Sequence, residues 1–103
     1  MPAATRGPTS EILGDADVAH CSAMTRAEGS VNVFVNSQPW SCKGDKNISH
    51  DIPDGDECAQ HQAAITTGST TVFVNSDGAG RIGDGISGCT SVAAGSSNVF
   101  AGP

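Results

Sequence analysis

Apolar positions in this chain recur in three short segments that are separated by polar, turn-rich sequence. The segments cover residues 29–36, 68–75 and 95–102, and each reads Gly-Ser-x-x-Val-Phe. All three phenylalanines of the chain fall at the same place in these repeat segments. Because successive side chains of a strand point to opposite faces, Val33 and Val35 share one face and Phe34 takes the other. We therefore predict a strand of about six residues in each repeat segment, apolar on both faces.

A second element, a Gly-Asp pair, recurs between the repeat segments. The three pairs are Gly14-Asp15, Gly44-Asp45 and Gly83-Asp84, and the residues five places after each aspartate are His20, His50 and Cys89. One Gly-Asp pair indicates only a turn, in which the aspartate accepts hydrogen bonds from nearby amides. Three in the same register, each followed by His or Cys, predict three similar lobes around a pseudo-threefold axis.

The region between residues 46 and 60 breaks this pattern. The stretch 51–58 is acidic, rich in turn-forming residues and not periodic, which predicts an inserted surface loop. His61 follows directly after the insertion.

Histidine and cysteine in this arrangement predict a metal centre. A structural zinc ion takes four nitrogen or sulfur ligands in a tetrahedral shell. The three repeated positions supply His20, His50 and Cys89, and His61 is the best-placed fourth, with Cys58 as the alternative. Iron is the less suitable metal for a four-ligand shell that contains a thiolate. A closed shell leaves no open position for a substrate, so we expect a structural site and no catalytic residues.

Composition favours one small all-β domain over residues 1–103 that needs such a metal. Only 37% of the residues are hydrophobic and 4% aromatic, a small supply for a core. The net charge of -6 disfavours nucleic acid and anionic lipid as partners. The N-terminal residues lack the apolar stretch of a secretory signal, and no run is long enough to anchor the chain in a membrane.

The four cysteines leave a disulfide-bonded alternative open. Two disulfides are possible in an oxidising compartment, and a pair between Cys21 and Cys58 is one of them. Without a secretory signal, use of cysteine in metal binding is favoured instead. Cys21, Cys42 and Cys58 are then expected to be small buried residues rather than ligands.

The sequence between the repeat segments and the Gly-Asp turns carries a resemblance to a known family. This stretch, here called the slot, is formed together with its Gly-Asp pair by residues 39–45 and again by residues 78–84. Near the N-terminus, Pro2-Ala3-Ala4-Thr5-Arg6 is similar to it. Over nearly its whole length the chain resembles the PAAR-repeat family, named after a Pro-Ala-Ala-Arg motif. The Cys58-x-x-His61 spacing is also family-like. Departures are the Trp40-Ser41-Cys42 stretch in one slot and a longer N-terminal segment.

The resemblance implies a cone of short strands and turns whose tip is held by zinc through three histidines and one cysteine. These map onto His20, His50, His61 and Cys89. The broad base docks, one copy per trimer, on a trimeric β-helical spike of a type VI secretion system, a contractile phage tail or a related particle. We expect Phe34, Phe73 and Phe100 to contribute to this base.

The implied location is the tail tip of a virion, or export by a contractile machine after assembly in the bacterial cytoplasm. Contact with the target envelope is then transient. Two other classes remain open on sequence alone. One is a metal-dependent enzyme, which needs an open coordination position, and the other is a small disulfide-bonded or metal-binding interaction module without a role on a spike.

Overall fold

All regular secondary structure in the described part of the chain is β-structure. The computed structural model describes residues 1–19, 23–54 and 57–102, with the backbone alone for 51–54 and 57–60. Within these ranges there is no helix, and so none that could cross a membrane. The Cα radius of gyration is 12.8 Å, close to the roughly 13 Å typical of a compact 100-residue domain. The expected small all-β fold is confirmed.

Among the described residues, six strands form three two-stranded antiparallel sheets. The pairs are β1 (Phe34–Val35) with β2 (Gln38–Pro39), β3 (His50–Asp54) with β4 (Glu57–His61), and β5 (Phe73–Val74) with β6 (Asp77–Gly78). The first and third hairpins are equivalent, since both residues of each connection, at 36–37 and 75–76, have a positive φ. Two such residues in a row define a tight turn whose twist matches that of the flanking strands.

The predicted six-residue strands are wrong in length. β1 and β5 have two residues each, and residues 95–102 form no strand, although Phe100 makes a single bridge with Ala3. The cause is the serine of each repeat segment. Ser96 Oγ accepts the backbone N–H groups of Asn98 and Val99, at 3.1 and 3.0 Å. Such a serine turn occupies the amides that a longer strand ladder would use.

The predicted alternation of faces in the repeat segments is confirmed. Val35 and Val74 are 2% and 5% exposed and lie in the main core. Phe34, Phe73 and Phe100 point outward and are 57%, 60% and 48% exposed. The buried members of this core are Ala4, Val35, Trp40, Cys42, Val74, Ala79 and Ala101.

The insertion is a hairpin rather than an irregular surface loop. β3 and β4 pair over five residues each, from His50 opposite His61 to Asp54 opposite Glu57. The ladder satisfies backbone groups that an irregular excursion would have to leave to water. Pro53 is tolerated because each strand of a two-stranded sheet is an edge strand. The sequence does contain a signal for this hairpin, because the Asp54-Gly55 dipeptide favours tight hairpin connections. The acidic composition of the stretch favoured a loop in the prediction instead.

Hydrogen bonds link the three repeat segments in a closed ring. The links are Asn36 Nδ2 to Asn98 Oδ1 (2.9 Å), Asn75 Nδ2 to Asn32 Oδ1 (2.7 Å) and Ser69 Oγ to the Gly102 carbonyl (2.9 Å). Asn36, Asn75 and Gly102 occupy the same position in their segments. Each repeat segment is therefore bonded to both others, through its own last residue and through the last residue of a neighbour.

Candidate metal centre

The inserted hairpin brings two histidines together at its open end. His50 begins β3 and His61 ends β4, and the strand register places them directly opposite each other. Their ring centroids are 4.9 Å apart and the ring planes are nearly perpendicular, at 84°. Cys58 is instead opposite Pro53, three residues or about 10 Å further along the strand. The backbone register thus favours His61 over Cys58 as the neighbour of His50.

Cys89 reaches the same place from the third Gly-Asp turn. Its backbone N–H donates to the Ile86 carbonyl at 3.0 Å, and Gly88 before it has a φ of 60°. Glycine adopts this left-handed conformation without steric penalty. The turn directs Cys89 Sγ to 3.3 Å from His50 Nε2. The potential ligand atoms of His50, His61 and Cys89 all lie within 4.8 Å of one another.

The three side chains fit a metal ion of the zinc type. With bond lengths of about 2.0 Å to nitrogen and 2.3 Å to sulfur, tetrahedral zinc separates an N and an S ligand by about 3.5 Å. The distance of 3.3 Å between His50 Nε2 and Cys89 Sγ is close to this value. His50 Nδ1 lies 2.8 Å from the Ile48 carbonyl oxygen, so it carries the proton and leaves the Nε2 lone pair for a metal. His50 itself is 4% exposed.

Three of the four ligands expected from the sequence are therefore brought together. The fourth, His20, lies outside the described residues. His50 and Cys89 come from equivalent positions after two different Gly-Asp turns, and His61 comes from the insertion, as the spacing predicted.

The aspartates of the Gly-Asp turns are structural, as expected. Oδ2 of Asp15, Asp45 and Asp84 accepts the backbone N–H of Arg6, Cys42 and Arg81, at 2.8, 2.7 and 2.6 Å respectively. In the first and third turns the arginine side chain also pairs with the aspartate, at 2.8 and 2.9 Å. These hydrogen bonds hold the three turns.

Cys42 takes the arginine position in the second turn and belongs to the core. It is 4% exposed, and its Sγ donates to the Trp40 carbonyl at 3.4 Å. Burial raises the pKa of its thiol to about 11. Cys42 is thus a small buried residue, as predicted. Cys21 and the side chain of Cys58 lie outside the described part of the chain.

A buried ion pair beside the centre was not foreseen from the sequence. Arg26 Nη1 donates to Asp17 Oδ2 at 2.7 Å, and neither side chain has any exposed surface. Asn47 Nδ2 donates to the same carboxylate oxygen at 3.2 Å. Burial raises the pKa of Asp17, an effect that the charge of Arg26 opposes. No repeat or spacing marks these residues, since their partners come from three different stretches of chain.

Met24 is a further residue at the centre that the sequence did not single out. It is 1% exposed, and its sulfur lies 3.9 Å from Cys89 Sγ. Asn47 Nδ2 donates to this sulfur at 3.3 Å. A single methionine outside any repeat carries no sequence signal for such a position.

A comparison of the chain with known protein families and with curated protein sequences finds no match. The class that the fold and site define is a small all-β protein with a candidate metal centre made by two histidines and a cysteine. The resemblance to PAAR-repeat proteins rests on the sequence motifs given above.

Proposed function

We propose that this chain is a metal-stapled tip, similar to PAAR-repeat proteins, that caps the trimeric β-helical spike of a contractile injection machine. The observation that carries the proposal is the convergence of His50, His61 and Cys89 on one point. Two of these residues follow equivalent turns far apart in sequence, and the third closes the insertion.

In this proposal the centre holds one zinc ion, with His20 as the fourth ligand. A metal bound by four protein side chains ties separate turns together and contributes folding free energy. In small zinc modules that contribution is on the order of 10 kcal/mol. The chain needs it because six of the seven buried residues of its main core are small or medium-sized, and Trp40 is the single large aromatic member. With four protein ligands no position is open for a substrate, so the role is structural rather than catalytic.

The ring of hydrogen bonds among the repeat segments supports a pseudo-threefold base. A single chain can match the end of a homotrimer only if it offers nearly the same surface three times. Phe34, Phe73 and Phe100 are equivalent in sequence, and all are about half exposed. Burying the exposed half of one phenyl ring contributes about 1 kcal/mol, so three rings would favour docking substantially.

The mechanical role follows from this arrangement. A cone that is stapled by metal at its narrow end and seated on the spike at its wide end concentrates the force of sheath contraction on a small area. Its contact with the target envelope is transient, and the machine is a phage tail, a secretion system or a related particle.

Co-expression with a trimeric β-helical spike protein of the same genome tests the proposal. We expect a complex with one copy of this chain per trimer by native mass spectrometry. The triple variant Phe34→Ser/Phe73→Ser/Phe100→Ser should lose the complex. The control Ile12→Ser/Leu13→Ser, which alters side chains 56% and 77% exposed outside the repeat segments, should keep it. A wild-type chain that retains its metal but binds no spike would contradict the proposed role.

A further inference from the structure

The thioether of Met24 is held against the metal centre by a specific polar contact. Methionine has three rotatable side-chain bonds and usually fills gaps without a fixed orientation. Here Asn47 Nδ2 donates to Met24 Sδ at 3.3 Å. Asn47 is itself completely buried, and its Oδ1 accepts the Ala63 N–H at 3.0 Å. The side-chain amide of Asn47 is thus held in place by hydrogen bonds, and its Nδ2 in turn holds the Met24 sulfur in one position.

The sulfur that is fixed in this way lies beside Cys89. Met24 Sδ is 3.9 Å from Cys89 Sγ, which is in turn 3.3 Å from His50 Nε2. The centre therefore offers four donor groups of three kinds, namely two imidazoles, one thiol and one thioether. Cysteine and methionine sulfur favour soft ions such as Cu⁺, and two histidines, a cysteine and a distant methionine are a donor set typical of copper. Zinc is bound instead by cysteine, histidine and carboxylate.

We infer that the centre has a second metal-binding mode, in which Cu⁺ is bound by His50, His61 and Cys89 with Met24 as an additional sulfur donor. The inference rests on the three-residue cluster of the proposed function, but not on its fourth zinc ligand. Zinc needs a fourth nitrogen or sulfur ligand such as His20, whereas Cu⁺ takes the thioether in that place. The two ions should therefore depend on different residues.

Two single substitutions separate these modes. Met24→Leu nearly preserves side-chain volume and removes the sulfur, and His20→Ala removes the expected fourth zinc ligand. Zinc affinity is measured by competition with a chromophoric chelator. Cu⁺ affinity is measured anaerobically by competition with bicinchoninate, with Cu⁺ supplied as its acetonitrile complex. We expect Met24→Leu to weaken Cu⁺ binding by about tenfold or more and to leave zinc binding within about threefold. His20→Ala should have the reverse pattern.

Equal effects of each substitution on both ions, or no effect of Met24→Leu on Cu⁺, would overturn the inference. Copper-edge X-ray absorption of the wild-type protein provides a test that needs no variant. Two sulfur neighbours of Cu⁺ support the inference, and a single one contradicts it. Failure of the wild-type chain to bind zinc would refute the zinc staple alone, whereas zinc binding without a separate copper dependence on Met24 would refute this inference alone.

Discussion

Arg26 and Asp17 form an ion pair that is completely enclosed in the protein, with Nη1 2.7 Å from Oδ2. Arg26 Nη2 also donates to the Asp45 carbonyl at 2.7 Å, and its Nε donates to Ser41 Oγ at 3.1 Å. One arginine thus joins the segment before the first repeat to the second Gly-Asp turn. In a chain with a small apolar core, this polar network is part of the interior packing.

Removal of one member of this pair should be strongly destabilising. Arg26→Met leaves the Asp17 carboxylate buried without its partner, and the expected loss in free energy of unfolding is about 3–5 kcal/mol. The double variant Asp17→Leu/Arg26→Met removes both charges and should recover at least about 1 kcal/mol of that loss. Urea denaturation of the three proteins measures both values. A double variant less stable than Arg26→Met would show that the charge left behind is not the cause.

Gly80 is a position where a methyl group should not be tolerated. A Cβ there would overlap the Ser41 carbonyl oxygen and approach Thr5 Cγ2 to 3.0 Å. The Gly80 carbonyl also accepts the Trp40 indole N–H at 2.9 Å, so the backbone has little freedom to shift. Gly80→Ala should reduce the free energy of unfolding by about 2–3 kcal/mol.

Gly85→Ala provides the matched control for this substitution. The nearest atom to a Cβ at Gly85 is Thr66 Oγ1 at 3.5 Å, an ordinary contact. We expect a change within about 0.5 kcal/mol. Thermal or urea unfolding measures the free energy of unfolding of both variants. Similar decreases for Gly80→Ala and Gly85→Ala would contradict the steric explanation.

The buried thiol of Cys42 should make stability depend on pH in the alkaline range. Its pKa is raised by burial from the ordinary 9.0 to about 11. Between these two values the thiol of the unfolded chain ionises while that of the folded chain stays protonated. The contribution of Cys42 is thus fully present below pH 9 and is lost as the pH rises to 11. Across that window the free energy of unfolding should fall by up to about 1.4 kcal/mol per pH unit.

The variant Cys42→Ala isolates this contribution from that of the other titrating groups. The difference in unfolding free energy between wild type and variant should be constant below pH 9 and narrow above it. A difference that is flat from neutral pH to pH 11 would contradict a raised thiol pKa.

Loss of the metal should lower stability in a way that depends on one particular cysteine. Incubation with a strong chelator is expected to decrease the thermal midpoint, since a metal held by His50, His61 and Cys89 would tie together separate parts of the chain. Cys89→Ser should lose stoichiometric zinc and show little further response to the chelator. Cys42→Ala also removes one thiol, but should retain zinc. Metal analysis with thermal unfolding measures these effects, and equal zinc content in the two variants would place the centre elsewhere.

The repeats and the insertion together predicted three residues that the structure brings close to one another, His50, His61 and Cys89. The common offset after Gly-Asp identified His50 and Cys89 as neighbours, although His50 begins a strand and Cys89 lies in a turn. His61 was identified by its place after the insertion, and the strand register that puts it opposite His50 supports that choice over Cys58.

Features without a repeat could not be predicted in the same way. The contacts of Met24 with Asn47 and Cys89 span 23 and 65 residues of sequence. Their formation depends on how separate turns pack in space, which no local pattern encodes. The strand lengths failed for a local reason, because the serine turn competes with the ladder for the same backbone amides. The predicted alternation of side chains is nevertheless correct, because it depends only on the extended backbone around Phe34 and Phe73.

The pairing of His50 with His61 has a practical consequence for the inserted hairpin. Both imidazoles sit where the hairpin joins the rest of the protein, so the strands beyond them contribute no described ligand atom to the centre. Lengthening each strand by the same number of residues would keep the two histidines facing one another. Attachment of a fluorescent label or an epitope tag at Asp54 or Glu57, at the other end of this ladder, would therefore leave the register of the two histidines intact.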